Sequence, residues 1–277
     1  MSLPKLRVAL FVEGSYSPPT RRGADTLGVI WNEHLGKALK LPRFDPIIPI
    51  SKTHLVAMDP ANPPMSGAGE RLDQLMVRVL AQKPFDVAVV AWDLSPSWNP
   101  KGPFCRWFET VDLYKFLSAS EDLPDIWREK ARQRFQDLSS RPAPSYRKRL
   151  PLLAPGMVLP VCMEPLFEGL LVQDEAAVRR ALGLKRAPVG WPRAGWADAR
   201  ERRPDLKVLT PAIASLWHMN PRPEVLRKVR GDMKTHKSDW GEFLLRELLA
   251  DHQARAVVLA HFISRRLLEL LGPRSHS

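Results

Sequence analysis

Cysteine is scarce in this chain: 277 residues contain two, Cys105 and Cys162, far apart and each beside bulky apolar residues. That placement excludes a cysteine metal motif and reads as buried thiols rather than a bridge, which suits a reducing compartment. The seven histidines form neither HxH nor HExxH, so the common zinc patterns are absent as well. Long apolar runs are also missing. The strongest candidate, Val87 to Ala91 with its neighbours, has the length of a strand and not of a membrane span. At the N-terminus the apolar run after Lys5 and Arg7 stops at Glu13, too short and too soon acidic for a secretory signal. The expectation is a cytoplasmic protein with no membrane partner, and no internal repeat is visible.

What is present is a globular composition, 44% hydrophobic and 26% charged, in a chain long enough for one substantial core or two modest domains. The formal charge is +12, from 42 basic and 30 acidic residues, and the excess is uneven. Between Trp127 and Leu150 eight Lys/Arg stand against two acids; between Val178 and Lys207 nine stand against three. Such blocks raise the local potential and favour a polyanion. The plainer alternative is a solvated basic face that aids solubility.

Periodicity organises the chain. VALFV, ending at Val12, is a short continuous apolar run of strand type, closed by Glu13-Gly14-Ser15. Leu27, Ile30, Trp31, Leu35 and Leu39 recur at helical spacing. Phe44 to Ile50 is a second strand, and Pro46 and Pro49 demote it to an edge. Leu72, Leu75, Met76, Val79 and Leu80 share one face of a helix over 70–81. DVAVVAW is apolar on both parities and predicts a central strand. Helices follow over 104–117 and 126–138, the latter basic and amphipathic, then a strand over 158–163 and a helix over 164–182 with an acidic start. The stretch 187–211, rich in Pro, Arg and Trp, reads as a loop or insertion. Residues 223–229 and 240–271 return to helix, with a break near Asp251. Strand and helix in alternation imply an α/β fold with a central, largely parallel sheet flanked by helices. The expected organisation is a single domain over 1–277, with a helical C-terminal part, 223–271, packed on it.

In open α/β sheets ligands gather outside the carboxyl ends of the strands. Glu13, Asp93 and Glu164 each follow a predicted strand. Three carboxylates converging there have a ready explanation in a divalent cation, Mg²⁺ or Mn²⁺, which takes hard oxygen ligands and activates water toward phosphoryl groups. Strand-end acids also serve as helix caps or solvated loop residues. Lys148, Arg149, Arg179 and Arg180 would hold phosphate oxygens. Trp191, Trp196 and Trp217 beside basic residues offer stacking platforms, or pack against the core. His54 could move a proton, or lie solvated in a loop.

ALFVEGSY, VAVVAWDLSP and MEPLFEGLLVQDEAAVRRAL, in that order, resemble motifs of the Toprim superfamily, and more narrowly a bacterial family of small stand-alone Toprim-like proteins. The resemblance implies a metal held by a Glu after the first strand and by a DxD pair after a later one. Glu13 falls on that Glu, Gly14 on the glycine that turns the chain, and Asp93 on the first acid of the pair. Ser95 stands where the second acid is expected. Glu164, Phe167 and Asp174 match the small family's late motif, with Glu168 beside them as a further ligand. Lys234 and Lys237, ahead of Trp240, resemble its C-terminal lysine segment and join the expected nucleic-acid contacts. Two functions follow: a Mg²⁺- or Mn²⁺-dependent nuclease on DNA or RNA, serving in anti-phage defence with an ATPase or other protein subunit; or a non-catalytic Toprim-like subunit that binds nucleic acid or a partner protein.

Overall fold

The four apolar runs become the strands of one sheet in the computed structural model of the chain. It describes residues 6–14, 26–56, 69–93, 106–142, 157–163, 167–187, 191, 205–219, 221, 223–233 and 235–272. In chain order these carry β1 (Val8–Glu13), α1 (residues 26–39), β2 (Phe44–Ile50), α2 (Lys52–Val56), α3 (Leu72–Leu80), β3 (Val87–Asp93), α4 (Trp107–Ala119), α5 (Asp125–Ser139), β4 (Val158–Met163), α6 (Glu168–Leu171), α7 (Glu175–Leu182), α8 (Thr210–Trp217), α9 (Val225–Lys228), α10 (Lys237–Ala250), α11 (His252–Ala260) and α12 (Phe262–Leu271). The sheet is parallel throughout, in the order β2-β1-β3-β4, flanked by helices and followed by the C-terminal helices: the α/β fold expected. No described helix is long and apolar enough to cross a membrane.

The chain forms two compact units, both discontinuous in sequence. The first combines Met1–Gly14 with Pro42–Cys162 and holds the sheet; the second combines Ser15–Leu41 with Met163–Ser277 and is built of helices.

In the first unit β1 and β3 lie inside the sheet and are almost wholly buried, because a strand covered on both faces needs apolar side chains on both parities. Pro46 and Pro49 place β2 at the edge: proline has no N–H for a second ladder. Ala9, Phe11, Ile50, Ala88, Val90 and Trp92 share one face with the buried sides of α3, α4 and α5 in a single core. There the Tyr114 hydroxyl donates to the carbonyl of Val158 at 2.8 Å, which satisfies a buried polar group and ties α4 to β4.

In the second unit α1 widens over Val29–Gly36 into a π-helix. A Cβ on Gly36 would lie 2.7 Å from the carbonyl oxygen of Trp31, so this position admits only glycine without a backbone shift. The helix ends with Lys40 at φ 55°, where the N–H of Leu41 donates to the carbonyl of Gly36 at 2.9 Å and that of Lys40 to Lys37 at 3.2 Å. The end of α7 has the same pattern around Gly183 at φ 66°.

Three stretches differ from the sequence reading. The helix expected over 164–182 is two helices, because Asp174 adopts an extended backbone and starts a new one. The expected loop over 187–211 ends sooner: Asp205–Leu209 form a π-helical turn that runs into α8, with Pro211 in its first turn, where the missing N–H costs nothing. The long C-terminal helix breaks near Asp251 as expected, and again at His261. Both residues are extended and cap the next helix, Asp251 by accepting from the N–H groups of Gln253 and Ala254, His261 by accepting from that of Ile263.

Candidate functional site

Glu13 is the last residue of β1, and the parallel register aligns it with Ile50 on one side; Val12 aligns with Ala91 on the other. One residue further, Glu13 therefore stands opposite Trp92, on the face of the sheet that carries the core. Asp93 belongs to the other parity. The two strand-end carboxylates thus leave adjacent strands on opposite faces of the sheet.

Glu13 instead meets an arginine. Its Oε2 accepts from Arg106 Nη2 at 2.9 Å and from the backbone N–H of Asp93 at 2.8 Å. Arg106 Nε donates to the carbonyl of Asp93 at 2.7 Å, and Nη1 to Glu109 Oε1 at 3.1 Å. The guanidinium carbon lies 5.9 Å from the centre of the Trp92 ring. Side-chain exposure is 2% for Arg106 and 8% for Glu13, so water screens the pair little and each charge depends on the other. Arg106 also holds a left-handed backbone, φ 56°, at the head of α4, with its carbonyl accepting from the Thr110 hydroxyl at 2.7 Å. That conformation costs about 1–2 kcal/mol for a residue with a Cβ, and the three anchored guanidinium nitrogens offset it. One side chain so ties together the ends of β1 and β3 and the start of α4. Sequence reasoning missed it; the available signal was a charge inside an apolar run, Phe104-Cys105-Arg106-Trp107-Phe108, which if buried must find an acid.

The remaining predicted residues are placed as follows. Glu168, in the second unit, has a side chain 6% exposed and pairs with Lys237 Nζ at 2.9 Å, so two residues assigned to metal and nucleic acid satisfy each other. Asp174 accepts from the N–H of Ala177 at 2.9 Å as the N-cap of α7. Arg179 and Arg180 occupy the last turn of α7, where positive charge complements the helix dipole, and Arg180 also pairs with Asp251. Trp191 and Trp217 are half-buried. Ser95, Lys148, Arg149, Glu164, Trp196 and Lys234 lie outside the described residues.

His54 lies within α2 rather than in a loop, and its ring reaches back to the residue before the helix: Nδ1 accepts from the N–H of Ser51 at 2.9 Å and sits 2.9 Å from the Ser51 hydroxyl. Burial pushes its pKa down, Glu70 opposes that shift and Arg78 adds to it. A second histidine, His34 on the π-helical part of α1, places Nε2 2.7 Å from Glu242 Oε1, which also accepts from Arg246 at 3.3 Å. On α5, Arg128, Arg132 and Arg134, and just past its end Arg141, pair with Asp125, Glu129 and Asp137 three or four residues away. Local pairing therefore neutralises much of that basic block.

A magnesium or manganese ion needs several hard oxygen ligands at one point. Among the described residues no group of three or more His, Cys, Asp or Glu side chains is arranged to hold a metal. Glu13, the best-placed ligand, is shared with a guanidinium, and Asp93 follows Trp92 at the opposite parity of β3. The described donor set does not fit a divalent metal centre. No family profile, curated protein or solved structure matches the chain.

Proposed function

We propose that this protein binds nucleic acid in the cytoplasm without itself cutting it. The observation that carries this reading is the closed Glu13–Arg106 pair. The carboxylate in the position a Toprim-like site reserves for catalysis is engaged by a buried cation and a backbone N–H. The formal charge of +12 supports a polyanionic partner, which such a protein would hold through phosphate contacts that carry no sequence information.

A second reading, the Mg²⁺- or Mn²⁺-dependent nuclease of a defence system with an ATPase subunit, is favoured by one feature. Glu13 and Asp93 do end adjacent parallel strands, on the side where α/β sheets gather ligands. It requires Glu13 to leave Arg106 and further ligands to come from outside the described residues.

One experiment separates them. Wild type is incubated with plasmid, single-stranded DNA and RNA with millimolar Mg²⁺ or Mn²⁺, while binding is followed by fluorescence anisotropy across a salt series. The expected result is salt-sensitive binding and intact substrate. Metal-dependent cleavage that disappears in folded Glu13→Gln and Asp93→Asn variants would reverse the order of the two readings.

A further inference from the structure

Beside the core of the first unit, between α3 and the end of α4, lies a cleft of about 620 Å³, lined among others by Arg71, Gln74, Arg78, Phe116, Ala119 and Asp122. Its volume is that of a small-ligand site. Arg71 is held in a fixed plane. Its Nε and Nη2 donate to the two carboxylate oxygens of Asp73, both at 2.9 Å, and Asp73 is itself 5% exposed. The same guanidinium lies over the Phe116 ring, 4.4 Å from its centre.

This arrangement limits what can bind. With one hydrogen each of Nε and Nη2 committed to Asp73 and one face on Phe116, Arg71 keeps its other face and its remaining N–H groups, and a third of the side chain is exposed. Arg78 is likewise engaged, by both oxygens of Glu70 at 2.8 Å. A bare phosphate would meet two arginines already paired with carboxylates, and the negative charge of Asp122 on the lining. A flat, uncharged aromatic ring meets no such repulsion: it stacks on a guanidinium plane, while Gln74 and Asp122 supply donor and acceptor groups for its edge. Nucleobases have this chemistry, and stacking on arginine planes is a general route by which unpaired bases are held. We propose that the cleft takes one unpaired nucleobase, stacked on Arg71. The proposal rests on the nucleic-acid reading for the source of that base, a single strand.

The test compares binding of three probes to the full chain: a single-stranded oligonucleotide, the same oligonucleotide with abasic positions, and free adenosine. Two variants accompany wild type. Arg71→Lys keeps the charge and loses the plane; Ala119→Trp fills the cleft from an exposed position on its rim and leaves the Arg71–Asp73 pair intact. Each variant is expected to bind the intact oligonucleotide roughly tenfold more weakly, to the level wild type shows for the abasic one, and to lose adenosine. If wild type binds the abasic and intact strands equally, and Ala119→Trp matches wild type on both, the cleft proposal is overturned and the nucleic-acid reading stands. Adenosine bound by wild type and lost in Ala119→Trp, with no oligonucleotide binding, keeps the cleft and removes that reading. Binding of neither probe removes both.

Discussion

Each unit buries a charge, and they do so in different ways. In the first, Arg106 and Glu13 are both almost fully enclosed, and partners from β1, β3 and α4 occupy the guanidinium. In the second, Glu168 is buried but its partner Lys237 is 35% exposed on the first turn of α10. Fixed backbone and side-chain groups satisfy the first pair; water shares in satisfying the second. The cost of breaking a pair is mainly the cost of the charge left behind, so the enclosed pair ought to be far harder to break.

Arg106→Met tests the larger side. It should destabilise the fold by about 3–5 kcal/mol, read as a fall in the urea midpoint, because Glu13 is left charged and enclosed. Adding Glu13→Gln should recover much of that loss, and a single variant within about 1 kcal/mol of wild type would show that the pair contributes little. Lys237→Met should cost less, about 1–2 kcal/mol, since water can reach Glu168 once the lysine head is gone. Equal losses at the two sites would remove the distinction between them.

A smaller effect compares two helix ends inside the second unit. Lys40 and Gly183 occupy the same left-handed cap, but only Gly183 does so without a Cβ. Lys40→Gly should stabilise by up to ~1 kcal/mol, and Gly183→Ala should destabilise by a similar amount; thermal unfolding of the two variants, shifted in opposite directions, checks this.

The smallest effect concerns pH. The N–H of Ala254, and after it the Arg180 side chain, hold the Asp251 carboxyl below the usual aspartate range. A group with a depressed folded pKa contributes stability above its unfolded pKa and loses it as pH falls through the folded value. Stability should therefore drop below about pH 4 more steeply in wild type than in Asp251→Asn, measured as urea midpoints across an acid series. Parallel acid limbs would show that Asp251 does not link protonation to folding.

Much of the fold was legible in residue order. The both-sided apolar run of β3, the prolines of β2 and the single apolar face of α3 are local patterns, and each became the element it implied. The break at Asp251 was legible for the same reason, as a capping residue interrupting a periodic run. His261 was not, because a histidine cap looks like any polar position on a helix. The candidate site was legible only in part. Position and residue type suggested Glu13 and Asp93, but side-chain parity at the ends of two parallel strands depends on their register, and register is a property of the assembled sheet.

The amino-acid sequence by itself determined the alternation of strands and helices, the edge position of β2 and the excess of positive charge, all of which follow from properties of neighbouring residues. Only the tertiary structure decided that the chain forms two discontinuous units, that Arg106 and Glu168 are among the charges it encloses, and that the partner of Glu13 is Arg106. The reason is physical. Glu13 and Arg106 are 93 residues apart in the chain, and burial turns two ordinary surface-type residues into an obligatory pair only once folding has removed the water from both.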